Sequence, residues 1–387
     1  MDAHRARRWS SRAAALVAGL VVARLAVPWW CGRDATAWLD GDPEVQRALA
    51  TELVVFEASD DALRAGGGTR FDGEWALVTH QMVALGLAQL CLAHPAWAAE
   101  LAPVATRAAA HSFLPEMRGF GTQAWHGEDA MASLDGDHGH AYLAYAALAL
   151  GMARLVDPAF PAELARPHDA LIAAYERRLL ASPTGLIETY PHEAYPTDVA
   201  AVAAAIAVHG RVTHAAHDAV LHHWAERVRA VQIDAASGLV IQRMDARSGA
   251  PHDAPRGSGT GLAAYFAGFA DRSVAAQLAD GVQRQLAIHL GFGAIREYVA
   301  GRDGGHGGQG DIDSGPVVLG VSVSATGFAL APMRAFGHAE TFRALYRTVD
   351  LFGLPVADGE RRRFAIGGPI GNALLLALLT SGPELAP

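Results

Sequence analysis

Past residue 40 the apolar positions recur at helical spacing. In 74–94, Val78, Met82, Leu85 and Leu92 fall on one side of a helix, with Gln89 the polar interruption. In 214–231, Val220, Trp224, Val228 and Val231 repeat the pattern. This periodicity predicts helices over 43–65, 74–94, 98–112, 137–155, 161–181, 197–210, 214–231, 258–270, 273–289, 314–335, 338–352 and 369–380. The clearest strand signal, 238–245 followed by Ala246 to Ala250, predicts a short β-hairpin on a loop. Alternate helices are rich in small residues and nearly uncharged: 137–155, 197–210, 258–270, 314–335 and 369–380. A helix that is apolar all round is buried. The helices between them carry charges and read as an outer layer. No repeat of fixed period marks a solenoid. The expected fold is therefore all-α, an (α/α)6 toroid of six helical hairpins over residues 40–387.

The first 31 residues stand apart. Arg5, Arg7, Arg8 and Arg12 precede an apolar run from Ala13 to Trp30, interrupted by Arg24. A basic flank before an apolar run is the mark of a secretory signal or signal anchor. The run is about the 18 residues that a spanning helix needs. Residues 1–31 are thus expected to be a membrane segment. The barrel would then be anchored in the inner (cell) membrane and face the periplasm or exterior.

Composition removes some alternatives. The chain of 387 residues is 51% hydrophobic, which excludes disorder. Net charge is −9, and past residue 12 the basic run is Arg361-Arg362-Arg363, so nucleic acid is not an expected partner. Two cysteines, Cys31 and Cys91, supply neither a disulfide framework nor a structural zinc cluster. The expected partners are a small-molecule substrate and the membrane; oligomeric state is left open.

If inner and outer helices alternate, the inner ones run parallel and their N-termini meet at one rim. Polar residues gather before those N-termini: Glu74-Trp75, Asp137-His138-Gly139-His140 with Tyr142, Glu188 to Asp198, His252 to Thr260, Asp311 to Pro316, and Gly367 to Asn372. Converging helix N-termini favour developing negative charge. Asp137, Thr197 or Asp198, Ser258 and Ser314 also suit the N-cap position. The stretch Gly301 to Gly310 lacks the Lys-Ser/Thr of a phosphate loop and reads as a flap over the rim. Segment 188–198 holds Glu188, Tyr190, His192, Glu193, Tyr195 and Asp198, equipment for general acid–base chemistry. The candidate catalytic residues are Asp198, Glu193, Glu188, His138 and Tyr142. Candidate substrate contacts are Trp75, His80, Tyr190, Tyr195, Arg256, Glu297 and Asp313. No spacing of His and carboxylates resembles a known metal box, so no metal or cofactor is expected.

From about residue 70 to 380 the chain resembles the linalool dehydratase-isomerase-like family. The resemblance lies in Glu74-Trp75, in Asp137-His138-Gly139-His140-Ala-Tyr142-Leu, and in Pro191-His-Glu-Ala-Tyr195-Pro-Thr-Asp198. It extends to Asp234-Ala-Ala-Ser-Gly-Leu with Asp245-Ala-Arg-Ser-Gly, and to Ser324-Ala-Thr-Gly-Phe-Ala-Leu. It implies an (α/α)6 barrel and cofactor-independent loss, addition or migration of water on a terpene alcohol. The family's characterised members use a cysteine pair with Asp, Tyr and His. Here neither cysteine lies in 188–198; Asp198 falls where one would sit, with Glu188 or Glu193 in place of the other. The expected function is an acid–base lyase or isomerase on a lipophilic alcohol. The same architecture is common among glycan-active enzymes, and aromatics at the rim (Trp75, Trp125, Tyr190, Tyr195, Tyr298) suit sugar rings. A glycoside hydrolase or polysaccharide lyase, or a non-enzymatic membrane-tethered barrel, are the alternatives.

Overall fold

The computed structural model describes residues 3–59, 62, 70–303, 305, 308–311 and 314–382. The elements are, in order, α1 (Ala3–Cys31), α2 (Ala35–Asp40), α3 (Pro43–Glu57), α4 (Arg70–Ala93), α5 (Ala98–Phe113), α6 (Pro115–Ala124), α7 (Ala144–Val156), α8 (Ala162–Ala181), α9 (Pro196–Thr213) and α10 (Asp218–Arg227). They continue with α11 (Gly257–Ala270), α12 (Arg272–Gln283), β1 (Leu286–His289), β2 (Phe292–Arg296), β3 (Val317–Val318), β4 (Val321–Ser322), α13 (Val323–Phe328), α14 (Leu330–Ala335), α15 (Ala339–Gly353), β5 (Pro355–Asp358), β6 (Arg361–Phe364) and α16 (Gly368–Thr380). The protein is mostly helical, as the periodicity predicts.

Sequence decides which helices are central. From Ala144 to Ala153 in α7 and from Val199 to Val208 in α9, every residue is buried. These helices have no polar face to give to water, so they are enclosed on all sides. α4 packs against α7 and α16, α7 against α9, α9 against α11, and α11 against α13 and α14, which pack in turn on α16. Helices with one polar face lie outside: α5 on α4, α8 on α7 and α9, α12 on α11, and α15 on α14. α12 is typical. Asp271 caps it by accepting from the amides of Ser273 (2.8 Å) and Val274 (2.9 Å). Val274, Ala275, Leu278, Ala279 and Val282 then form its buried stripe.

Several boundaries differ from the periodic reading. The helix expected over 43–65 ends at Glu57. The one expected from 137 starts at Ala144, after a turn of 3-10 helix over Ala141–Leu143. Residues 133–139 are held as loop because the buried Arg178 guanidinium donates to the carbonyls of Ser133 (2.6 Å), Gly136 (3.1 Å) and Gly139 (3.1 Å). The helix expected over 273–289 stops at Gln283, and β1 pairs antiparallel with β2 through a turn with Leu290 and Gly291 both at positive φ. Within 314–335, β3 and β4 precede two short helices; the sheet order is β1-β2-β4-β3. α6 and the β5–β6 hairpin were not expected. The predicted hairpin over 238–245 forms isolated bridges instead, Ile233 to Val240, Ile241 to Pro255 and Met244 to both Ala194 and Pro251.

Gly257 opens α11 where β2 ends. A Cβ there would lie 2.3 Å from the Arg296 carbonyl oxygen, a backbone atom that cannot swing away. Gly257→Ala is expected to destabilise the fold by about 1–3 kcal/mol, read as a lower melting temperature.

α1 is the exception to burial. The apolar stretch Arg12–Asp40 is long and apolar enough to cross a membrane, and 11% of it is buried, whereas the other such stretch, Asp72–Ala93, is 78% buried and belongs to the core. Leu16, Val17, Leu20, Val21, Val22 and Leu25 all face outward. The protein thus carries an N-terminal apolar helix of the kind found in membrane anchors and signal sequences.

Candidate functional site

A cavity of about 310 Å³ sits where the N-terminal ends of α4, α7, α9, α11, α13 and α16 meet. Each supplies lining residues near its own N-terminus: Glu74 and Trp75, Tyr145, Thr197 and Asp198, Ser258 and Gly259, Ser324, and Ile370 with Gly371. The apolar part of the wall is Val78, Leu262, Phe328, Ile370 and Leu374. Two exposed apolar residues, Val323 and Ile366, neighbour the lining residues Ser324 and Gly367 in sequence. A cavity of this size, mostly apolar with a few convergent polar groups, has the form of a small-molecule site.

Its polar end is built by segment 188–198. Pro191 and left-handed His192 occupy the centre of a tight turn, closed by the Glu193 amide donating to the Tyr190 carbonyl at 2.9 Å. Ala194 and Met244 exchange both backbone hydrogen bonds, which fixes this turn against the 240s loop. The Trp125 indole N–H donates to the Thr189 carbonyl at 3.0 Å. Thr189 is thereby folded over the start of α9. Its hydroxyl donates to Asp198 Oδ2 at 2.6 Å, and the Tyr145 hydroxyl, from α7, donates to Oδ1 at 2.7 Å. Each carboxylate oxygen thus accepts a short hydrogen bond, and the first turn of α9 adds its positive end. Burial and the Asp198 carboxylate together push the Tyr145 phenol well above its usual pKa, so it stays a donor.

Across the wall, Tyr190 donates to Glu74 Oε2 at 3.0 Å. Tyr190 stacks on Tyr142, their rings 10° from parallel with centroids 6.2 Å apart. Trp75 stands at the mouth, 44% exposed. Tyr195 lines the cavity too, donating to Glu193 Oε2 at 3.0 Å.

Of the residues predicted from sequence, Asp198, Trp75, Tyr190 and Tyr195 meet at this cavity. The others lie elsewhere. Glu193 is held by Tyr195 and faces Arg243 at 3.9 Å. Glu188 does not line the cavity; its carbonyl accepts from the Ala141 amide. His138 is exposed, paired with Asp137 at 3.1 Å. Tyr142 supports Tyr190 from behind. His80 is buried against Glu57 and the Ala62 carbonyl. Arg256 is buried between Asp253 (2.6 Å) and Asp311. Burial opposes its charge, but the two carboxylates hold its pKa up. Glu297 is buried and accepts from the Ser258 hydroxyl at 2.6 Å and amide at 3.2 Å, so it anchors the start of α11. Burial raises its pKa. Asp313 lies outside the described residues, as do some positions of the glycine-rich stretch 301–310.

The capping expectations also change. The N-cap of α9 is Tyr195, and Asp198 sits inside the first turn with its carboxylate turned to Tyr145 and Thr189. Asp137 precedes α7 by a whole loop, Ser258 lies inside α11, and Ser322, not Ser314, caps α13 by accepting from the Ala325 amide at 3.0 Å. Sequence reasoning passed over Tyr145 and Gln242 as site residues and used Glu74 only as a motif. The available signal was a lone phenol in the first turn of a helix otherwise made of small apolar residues.

A second charged cluster lies under the β5–β6 hairpin, where Arg362 bridges Asp34 and Asp350. Burial and the nearby Asp34 carboxylate push Asp350 up to about 6. The folded state therefore favours protonated Asp350. Its stabilising contribution is complete below pH 4 and is lost as pH rises through 6, on the order of 2–3 kcal/mol. Asp350→Asn is expected to melt like the parent near pH 4 and at a higher temperature at pH 7–8.

No protein-family model matches the chain, and no curated protein matches it.

Proposed function

We propose that this protein is an acid–base lyase or isomerase that removes, adds or shifts water on a lipophilic alcohol. The observation that carries the reading is the Asp198 carboxylate, held by two hydroxyl donors at the polar end of a largely apolar cavity. Loss of water from an alcohol needs a proton delivered to the departing hydroxyl and a second removed from the neighbouring carbon. Asp198 is the group assigned to take the carbon-bound proton, with Tyr145 and Thr189 orienting it. Glu74, protonated on Oε1 and oriented by the Tyr190 hydroxyl on Oε2, is assigned to deliver the proton to the departing hydroxyl. The alkene and one water are the products; the reverse sequence hydrates. The resemblance to the linalool dehydratase-isomerase-like family points the same way, with carboxylates standing in for its cysteines.

The fold belongs to the same reading. Packing of α4, α7, α9, α11, α13–α14 and α16 in cyclic order supports a closed six-hairpin toroid with the cavity at its mouth. The exposed α1 supports a membrane anchor, and the basic flank before its apolar run favours the barrel on the outer side. Such an anchor keeps the enzyme where a lipophilic substrate is concentrated.

A second reading has one observation in its favour. Trp75 is an exposed aromatic at the mouth, with Tyr190 and Tyr195 inside, an arrangement that suits stacking on a sugar ring with Asp198 and Glu74 as the carboxylate pair. One experiment separates the two. Purified full-length protein in detergent is incubated with a panel of terpene alcohols and, separately, with a panel of polysaccharides and aryl glycosides. Alkene or isomerised alcohol by gas chromatography–mass spectrometry supports the first reading; reducing sugar or unsaturated sugar ends replaces it with the second.

A further inference from the structure

Away from the cavity, three side chains from three helices converge. Glu57 ends α3, His80 lies within α4, and His111 is in the last turn of α5. Glu57 Oε1 is 2.7 Å from His80 Nδ1, and Oε2 is 2.9 Å from His111 Nδ1. One ligand atom from each lies within 4.8 Å of the others. The Glu57 carboxylate is fully buried, the His80 ring is 2% exposed and the His111 ring 16%. The two rings meet edge to face at 5.1 Å, and Phe56 stacks on the far side of His80.

The other nitrogen of His80 carries the argument. Nε2 lies 2.8 Å from the Ala62 carbonyl oxygen. A carbonyl oxygen only accepts, so Nε2 bears a hydrogen and Nδ1, 2.7 Å from Glu57 Oε1, is the nitrogen that faces the carboxylate. That is the arrangement of a metal-ligating histidine, whose second ring N–H is donated to a backbone carbonyl. A proton on Nδ1 satisfies this contact when no cation is bound, and a cation that displaces it takes the same lone pair; His111 points its Nδ1 at the same carboxylate.

We propose that Glu57, His80 and His111 bind one divalent cation of the zinc type. Two imidazoles and a carboxylate are a favourable donor set for Zn²⁺, which takes nitrogen at 2.0–2.1 Å and so wants donors about 3.3 Å apart. The two carboxylate–imidazole contacts lengthen by about half an ångström to reach that spacing. Bound there, the ion ties α3 and α5 to α4, whose second turn carries Glu74 and Trp75. His111, the one of the three that reaches solvent, gives the entry path. Local sequence spacing hides the site, because the ligands stand 23 and 54 residues from Glu57.

The test uses the full chain in detergent, stripped with a chelator and titrated with ZnCl2 by calorimetry. One equivalent is expected to bind, with excess Zn²⁺ raising the melting temperature by about 3–5 °C. Co²⁺ in its place is expected to give the visible absorption of a tetrahedral site. His111→Ala is expected to weaken binding about 100-fold or more. His217→Ala, in the separate His209–His217 pair (3.0 Å apart), leaves binding unchanged. Should His111→Ala fail to fold, His111→Gln keeps the size and hydrogen bonding and gives the same readout. No binding, binding that survives the His111 change, or binding lost with His217 instead would overturn the site and leave a proton-shared Glu–His–His cluster.

Discussion

Asp198→Asn is expected to lower turnover of the lipophilic alcohol by about 10²- to 10⁴-fold while leaving the fold intact. Asn keeps an oxygen for one of the two hydroxyl donors but cannot accept the substrate proton. Its amide nitrogen also faces either Tyr145 or Thr189, both of which donate to the carboxylate at 2.6–2.7 Å. The loss is therefore expected in kcat more than in KM. Tyr145→Phe and Thr189→Val each remove one donor and leave the base in place, so each is expected to cost about tenfold, in the range of one hydrogen bond to a charged group. Glu74→Gln tests the opposite wall and is expected to resemble Asp198→Asn. Full activity in Asp198→Asn with normal circular dichroism would remove this carboxylate from the chemistry. The measurement is steady-state kinetics on whichever alcohol the panel identifies.

Removal of residues 1–26 is expected to move the protein from the membrane fraction to the soluble one. The apolar side chains of α1 from Leu16 to Leu25 are exposed, and nothing among the described residues covers them. The cut point follows from packing. Cys31 is buried, Gly32 donates to the Pro28 carbonyl at 3.1 Å, and the β1–β2 turn approaches Pro28. Residues 28–31 thus belong to the folded body and are kept. The full chain is expected to stay in membranes washed with carbonate, and the shortened chain to remain soluble without detergent at an unchanged melting temperature. A full chain that is soluble and monodisperse without detergent would show that α1 is covered by protein rather than lipid.

How much was legible beforehand depended on the range of the interaction. The buried helices announced themselves, because an all-apolar run such as Val199 to Val208 has one stable place in a water-soluble body. The gathering of helix N-termini at one end followed from alternation alone, and Asp198 stood out as the acid at the start of such a helix. Its partners did not. Tyr145 is 53 residues away and looks like a core residue until α7 is laid beside α9. Glu74 meets Tyr190 across 116 residues. Glu297, expected to contact substrate, instead anchors α11, because only the fold shows that its oxygens face the Ser258 amide and hydroxyl. The late start of α7 was equally hidden. The expected helix starts at 137, but Arg178 from α8 holds the chain as loop there through the carbonyls of Ser133, Gly136 and Gly139.

Solvent-oxygen exchange tests the central claim most directly. The protein is incubated with an alcohol substrate in ¹⁸O-labelled water, and the recovered alcohol is examined by mass spectrometry. If Asp198 and Glu74 drive reversible loss and return of water in this cavity, label enters the alcohol with the wild-type chain and falls to background with Asp198→Asn. Label that enters equally with Asp198→Asn, or isomerised alcohol formed with no label incorporated, would contradict the account.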